Sequence, residues 1–231
     1  MKEKFELTKT DMEAISLGDN NYINNKGANL YKEGTFSYSV DYYRLAAAMG
    51  DVHAVSNLGY CYLYGRDIEE NTSLAIAYFK IAALKEDRDA AYKLGDIYSK
   101  DEWGVKDTEL SVYYYRMAAS FILGPRWDRE RSVIWRDRLR HYPSLCYALG
   151  RELSPEGNMC TDIDQAYQFL LHAKAGYEKA LANGESMYEE SYQGTLEWLK
   201  KNDFDDIRDK WDKEYDKCYN GSDDDDDEDY D

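Results

Sequence analysis

Apolar residues recur at helical spacing through the middle of the chain, and the pattern itself repeats as a longer unit. Residues 54–62 read AVSNLGYCY, and residues 90–98 read AAYKLGDIY, 36 positions later. Each segment has Ala, then Leu-Gly four residues on, then Tyr, so its apolar side chains fall on one face of a helix. The pattern predicts two helices that are copies of one structural unit.

A second helix follows each copy in the same register. Residues 75–83 read AIAYFKIAA and residues 111–119 read SVYYYRMAA, again 36 positions apart. Related patterns at 41–47 and 165–173 extend the series both ways, but the last one is displaced by 55 residues. This larger offset indicates an insertion of about 19 residues before a fourth unit. In the connectors, Gly65 is a predicted helix stop, and Asn71 and Asp107 are predicted N-caps.

The fold class predicted from these units is all-α. We expect a short right-handed α-solenoid (α-α superhelix) of helix–turn–helix repeats with C-terminal capping helices, because stacked repeats bury a core that one repeat cannot. The predicted segments are an N-terminal segment 1–19, repeats 20–51, 52–87, 88–120 and 142–183, a basic helical insertion 121–141, capping helices within 184–219 near 186–201 and 205–219, and a disordered acidic tail 220–231.

The units resemble the Sel-like repeat, a tetratricopeptide variant with a longer loop between its two helices. The matching residues of the second unit are Ala54, Leu58, Gly59, Tyr62, Gly65, Asp67, Ala75, Tyr78, Ala82 and Ala83. Those of the third are Ala90, Leu94, Gly95, Tyr98, Gly104, Val105, Asp107, Tyr114, Ala118 and Ala119. The first unit has a shorter loop and looks like a plain tetratricopeptide repeat, and the fourth is degenerate.

The resemblance implies that the first helices line a concave side, where non-core positions form a binding groove. The candidate positions are Asn24, Tyr31 and Lys32 in the first unit, His53, Ser56, Tyr60 and Tyr64 in the second, Tyr92, Asp96 and Lys100 in the third, and Tyr147 and Arg151 in the fourth. Tyr is enriched at contact surfaces, so this face predicts a protein-binding site. Packing against the insertion or the next repeat would explain several of these Tyr residues equally well.

Charge narrows the choice of partner. The formal net charge is −17, of which eight negative charges lie in the tail. They belong to Asp223, Asp224, Asp225, Asp226, Asp227, Glu228, Asp229 and Asp231. An acidic surface repels phosphates and attracts basic proteins, which argues against direct nucleic-acid binding. With no apolar stretch long enough for a membrane helix and no visible secretory signal, we expect a cytoplasmic protein with reduced thiols.

Two irregular segments carry concentrated charge. The insertion holds Arg126, Arg129, Arg131, Arg136, Arg138 and Arg140, with Trp127 and Trp135 as expected anchors. It is interpreted either as an anion site or as an exposed helix whose Arg residues pair with interleaved acids, and the second is favoured. The acidic tail is either a solubilising end or bait for a basic partner, since such charge runs do not fold alone.

Catalytic chemistry finds little support in the sequence. His53, His141 and His172 fall in different repeats without ligand spacing, and no nucleophile–base set is visible. Cys61, Cys146, Cys160 and Cys218 form no C-x-x-C pair, and Cys61 is predicted to be a small buried hydrophobe. We therefore expect no cofactor, no metal and no enzymatic activity.

The function predicted first is a non-catalytic scaffold or adaptor that holds a basic protein in its groove. The alternative is an acidic inhibitor or immunity protein that binds a toxin or a nucleic-acid-processing enzyme by phosphate mimicry. A repeat-built hydrolase is a third hypothesis, and it lacks a catalytic set in this sequence.

Overall fold

The structure is a computed structural model that describes residues 5–124, 138–154, 157, 163–202, 204–205 and 207–209. All regular structure in these ranges is helical, which confirms the all-α prediction. The helices are α1 (Lys9–Leu17), α2 (Asn20–Lys32), α3 (Phe36–Ala48), α4 (Val52–Leu63), α5 (Thr72–Ala83), α6 (Arg88–Ser99), α7 (Thr108–Leu123), α8 (Pro143–Leu153), α9 (Ile163–Ala182) and α10 (Glu189–Lys201). The chain divides into two compact units, residues 1–121 and 122–231.

Each pair of helices is closed by a glycine of the first helix that lies against a large side chain of the second. The contacts join Gly27 to Tyr43, Gly59 to Phe79, Gly95 to Tyr115 and Gly150 to Leu170. A Cβ atom at Gly59 would lie 2.9 Å from the Phe79 ring, and one at Gly95 would lie closer still to the Tyr115 ring. Real Cβ atoms do not approach other atoms this closely. The Leu-Gly step of the sequence therefore marks the point of closest helix approach.

Stacked tyrosines add a second contact to two of these pairs. The rings of Tyr62 and Tyr78 are 5.4 Å apart and 9° from parallel, and those of Tyr98 and Tyr114 are 5.8 Å apart and 7° from parallel. The two stacks lie 36 residues apart in sequence, so they are the same contact in successive repeats. Aromatic pairs of this kind add about 1 kcal/mol beyond the area that they bury. Part of the high tyrosine content thus belongs to the core.

The turns between consecutive repeats have a common design. Gly18, Gly50 and Glu86 each adopt a left-handed backbone, with φ of 71°, 95° and 64°. The residue that follows is an Asp whose side chain caps the next helix: Asp19 for α2, Asp51 for α4 and Asp87 for α6. The predicted caps Asn71 and Asp107 are confirmed at the second helices, where they accept from Leu74 N and Leu110 N.

The segment before the first repeat contains an ion pair that the sequence pattern did not reveal. Thr8 and Asp11 form a capping box at the start of α1. The buried Asp11 carboxylate accepts from Lys26 Nζ at 2.7 Å and from Tyr42 Oη at 2.8 Å, which joins α1 to α2 and α3. Burial opposes ionisation of Asp11. Hydrogen bonds from Lys26, Thr8 and Tyr42 outweigh it and hold the pKa of Asp11 well below its usual range.

The second unit contains the fourth helix pair and the first capping helix. Helices α8 and α9 pack through Gly150, and α10 lies along α9, where Tyr192 Oη donates to Glu178 Oε1 at 2.9 Å. The predicted capping helix near residues 186–201 begins with a 3-10 turn, Ser186–Tyr188, and continues as α10.

Several predicted features lie outside the described residues. These are Arg126, Arg129, Arg131, Arg136, Trp127 and Trp135 of the insertion, Cys160, Cys218, the second capping helix from residue 210 onward and the whole acidic tail. The structure does describe two arginines of the insertion, Arg138 and Arg140. Arg138 Nη1 donates to the carbonyl of Ile122 at 3.3 Å.

Replacing the glycine at a close contact tests the pair geometry. We expect Gly59→Ala to lower the free energy of unfolding by about 2 kcal/mol, because the new methyl group displaces the Phe79 ring. Gly194→Ala is the matched control. Its Cβ would meet only the movable hydroxyl end of Tyr147, at 3.1 Å. Urea unfolding followed by circular dichroism measures both, and equal stability of the two variants would contradict the proposed contact.

The Asp11 ion pair makes the stability pH-dependent. At pH 7, Asp11→Asn should lower the free energy of unfolding by about 3 kcal/mol, because Lys26 and Tyr42 lose a buried anion. A depressed folded-state pKa stabilises the protein above the unfolded-state pKa of about 3.9, and this stabilisation is lost as the pH falls further. The difference between wild type and variant should therefore be roughly 1 kcal/mol smaller at pH 3, in urea unfolding at both pH values. A difference that stays constant would refute the assignment.

Candidate functional site

A pocket of about 300 Å³ opens in the first unit between the first helices of two consecutive repeats. Its lining residues are His53, Ser56, Asn57 and Tyr60 from α4, and Asp87, Asp89 and Tyr92 from the start of α6. The four α4 residues follow the spacing i, i+3, i+4 and i+7, so they form one face of the helix. The pocket therefore arises from the stacking of one repeat on the next.

The aromatic walls of the pocket are held by the helix-pair core. Tyr60 meets the Phe79 ring edge to face at 4.9 Å, and Tyr64 stacks on Tyr60 at 6.4 Å. Tyr92 lies 5.6 Å from the ring of Tyr115. Phe79 and Tyr115 are the rings that close on Gly59 and Gly95. The core contact thus also fixes the positions of the pocket tyrosines.

Two carboxylates line the pocket, and they have different roles. Asp87 is a structural group, with a side chain only 2% exposed. Its Oδ1 accepts from Ala90 N at 2.7 Å, and its Oδ2 lies 3.1 Å from His53 Nδ1. Asp89 is 65% exposed and pairs with Arg88 at 2.8 Å. Asp89 is therefore the lining carboxylate that a ligand can reach.

A third carboxylate, that of Asp96, lies beside the pocket. Asp96 is the residue of the third repeat that corresponds to Tyr60 of the second. Asp96 Oδ1 accepts from Tyr115 Oη at 2.9 Å, and Asp96 Oδ2 lies 3.3 Å from Lys93 Nζ. The same ammonium lies 5.5 Å from the centroid of the Tyr60 ring. This face of Tyr60 already contacts a cation in the free protein.

The electrostatic character of the pocket can be read from Tyr60. Burial, followed by the charge of Asp89 and then by Tyr64, Asp96 and Asp87, raises the pKa of Tyr60 above its usual range. Tyr60 therefore remains a neutral phenol at physiological pH, in a field that disfavours a further negative charge.

Some predicted groove positions meet in this pocket and others do not. His53, Ser56, Tyr60 and Tyr92 line it, and Tyr64 stacks beside it. The prediction missed Asn57, Asp87 and Asp89. Asn57 follows His53 by one turn, and Asp89 lies 36 residues after His53, so the helix face and the repeat period together could have found both. Tyr31, Lys32 and Lys100 are not among its lining residues.

Two predicted groove positions, Asn24 and Tyr147, are covered by neighbouring elements in the structure. Asn24 is only 7% exposed and accepts from Asn57 Nδ2 at 3.0 Å, because the next repeat covers it. In the second unit, the Tyr147 hydroxyl lies against Gly194 of α10, and burial raises the pKa of Tyr147. Arg151 pairs at 2.7 Å with the buried Glu152. The capping helix, rather than an open groove, thus meets the face of α8 that holds Tyr147.

The histidine and cysteine positions bear on possible chemistry. His53 and His141 are exposed and His172 is buried. Burial raises the pKa of Cys61 to about 11 and raises that of Cys146 further, which leaves both thiols protonated and unreactive. Among the described residues, no group of three or more His, Cys, Asp or Glu is placed to hold a metal ion. No helix in the described part of the chain is long and apolar enough to cross a membrane.

Comparisons with known proteins bear on the repeat itself. The sequence model of the Sel1 repeat matches residues 17–51, 52–87 and 88–120. It therefore includes the first unit, which the loop length alone had likened to a plain tetratricopeptide repeat. The crystal structure of a Sel1 repeat protein from Oxalobacter formigenes is similar over 92% of this chain and 91% of that chain, at 18% identity and a TM-score of 0.45. A search of curated proteins finds no match.

The roles assigned to Asp87 and His53 can be separated by substitution. Asp87→Ala should lower the free energy of unfolding by about 1 kcal/mol, because α6 loses its N-cap. Asp51→Ala removes the equivalent cap one repeat earlier and should cost a similar amount. His53→Ala should change stability by less than about 0.5 kcal/mol, because the side chain is 76% exposed. Urea unfolding of the three variants checks this, and a large loss for His53→Ala would show that the His53–Asp87 pair is structural.

Proposed function

Because the chain belongs to the Sel1 repeat family, whose members are generally protein-interaction scaffolds, we propose that it is a non-catalytic scaffold that binds a protein partner. The binding surface is the face formed by α4 and α6. We call this surface the α4/α6 face and define it by the seven pocket-lining residues together with Tyr64.

The pocket is the observation that supports this location. The α4/α6 face combines two tyrosines held by packing with polar side chains that a partner can reach, His53 and Asp89. Rigid tyrosines contribute large contact area and lose little conformational entropy on binding. The rest of the contact would extend from this anchor along neighbouring first helices.

The partner's chemistry follows from charge. The chain carries a formal net charge of −17, and the carboxylates of Asp87 and Asp89 line the pocket. We therefore infer a basic surface on the partner, with electrostatic steering that weakens as salt screens the charges. The buried free thiols Cys61 and Cys146 suit a reducing compartment, and we place the interaction in the cytosol. The comparisons do not support the inhibitor alternative.

Affinity capture with the full chain tests this proposal. We compare wild type, Tyr92→Ala and the matched control Tyr113→Ala in a lysate of the source organism, and quantify captured proteins by mass spectrometry. Tyr113 is a 54% exposed tyrosine on α7 of the same repeat, outside the pocket. We expect a basic partner that Tyr92→Ala reduces about tenfold or more, as truncation of an interface anchor does, and that Tyr113→Ala retains.

The fold and the salt response serve as controls. Circular dichroism and thermal melting must show that Tyr92→Ala remains folded, and His53→Ala combined with Asp89→Ala provides a second, exposed variant of the same face. Capture should fall as salt rises. A partner retained equally by all variants would place the binding surface elsewhere.

A further inference from the structure

The pocket on the α4/α6 face has a chemistry more specific than a general contact surface. Two aromatic rings, Tyr60 and Tyr92, line one opening together with the carboxylate of Asp89. A volume of about 300 Å³ lies at the lower end of the range for ligand pockets. Such a space fits one long side chain of a partner better than a folded element.

The carboxylates around the pocket outnumber the cations that pair with them by one, so the pocket favours a further cation. Three carboxylates, Asp87, Asp89 and Asp96, act on Tyr60, where burial first and then nearby charges raise the pKa. The cations paired with them are Arg88, at 2.8 Å from Asp89, and Lys93, at 3.3 Å from Asp96. With His53 counted as neutral, these groups together carry a single negative charge.

The geometry distinguishes between the two basic side chains. A guanidinium is planar, stacks on aromatic rings and pairs with a carboxylate through two donors, whereas an ammonium is a compact and strongly hydrated charge. Lys93 Nζ already lies 5.5 Å from the centroid of the Tyr60 ring, so an incoming guanidinium would stack on this ring in place of the ammonium. The Asp89 carboxylate is 65% exposed and accepts from Nε and Nη2 of its half-buried sequence neighbour Arg88, at 2.9 and 2.8 Å. Ion pairs at such exposed carboxylates exchange at little cost.

From these observations we propose that the pocket on the α4/α6 face receives an arginine side chain of the partner, stacked against Tyr60 and Tyr92 and paired with Asp89. This inference rests on the proposed scaffold function and adds the chemistry that the anchor recognises. An arginine at the centre of an interface is a common hot spot, because it combines stacking with charge-assisted hydrogen bonds.

NMR titration of the isotope-labelled full chain with capped arginine, N-acetyl-arginine N-methylamide, tests the proposal. We expect saturable chemical-shift changes confined to backbone amides of α4 and the first turns of α6. Capped citrulline has nearly the same shape without the charge and should bind about tenfold more weakly, as expected for loss of a charged hydrogen bond. Capped lysine should also bind more weakly than arginine.

Variants of two exposed carboxylates provide the matched comparison. Asp89→Asn should weaken capped arginine about tenfold. Asp101→Asn should leave it unchanged, because Asp101 is 82% exposed, pairs with Lys106 at 3.1 Å and does not line the pocket. Both substitutions fall on the surface, so the spectra of the variants should otherwise match that of wild type.

The outcomes separate this inference from the proposed function. Equal binding of citrulline, equal binding of lysine, or no shift changes on α4 and α6 would each overturn the arginine pocket. If Tyr92→Ala still loses the captured partner in that case, the scaffold function stands without it. If capped arginine binds as expected but every pocket variant still captures the partner as wild type does, the proposal that the α4/α6 face binds the partner is contradicted instead.

Discussion

Helix pairs in this protein close on a glycine that faces a large side chain. The absence of a side chain at Gly59 and Gly95 lets Phe79 and Tyr115 lie on the backbone of the first helix. The stacked tyrosines one turn further along depend on that short separation, because their rings must overlap at close to 5.5 Å. The pocket walls depend on it as well, since Tyr60 and Tyr92 lean on the same two rings. One small residue per repeat thus positions both core and surface.

Because this helix-pair packing is the same in each repeat, the exposed residues at equivalent positions can differ from one repeat to the next. Tyr60 and Asp96 occupy equivalent positions in consecutive repeats, and so do His53 and Asp89. The packing places all four on neighbouring first helices, and their differences create the mixture of rings and carboxylates between α4 and α6. The site is therefore a property of two adjacent repeats rather than of either alone. This explains why the recurring repeat signature of Leu, Gly and Tyr does not itself identify a ligand.

Sequence periodicity predicted the helix pairs because the same packing contact recurs in each repeat. Leu58-Gly59 and Leu94-Gly95 recur because the first helix needs a glycine where the ring of the second helix lies against it. It found only part of the pocket. The helix face and the repeat period reach Asn57 and Asp89, which were missed, whereas a helix-face count ignores the capping residue Asp87 at the start of α6. It placed Asn24 and Tyr147 in an open groove, although coverage of a position depends on the neighbouring element, here Asn57 and α10. The Asp11–Lys26 pair was beyond sequence reasoning, because charges 15 residues apart meet only once α1 packs on α2.

The turn that follows α1 shows which helix of a repeat α1 corresponds to. The same backbone hydrogen bonds close the turns after α1, α3 and α5: Asp19 N donates to the carbonyl of Ala14, Asp51 N to that of Ala46 and Asp87 N to that of Ala82. By this geometry α1 corresponds to the second helix of a repeat, and it is held to the next repeat by the Asp11–Lys26 ion pair, beside an edge-to-face contact between Phe5 and Tyr42. A chain trimmed at residue 17, where the matched repeats begin, would therefore leave Lys26 and Tyr42 without the buried carboxylate that they share.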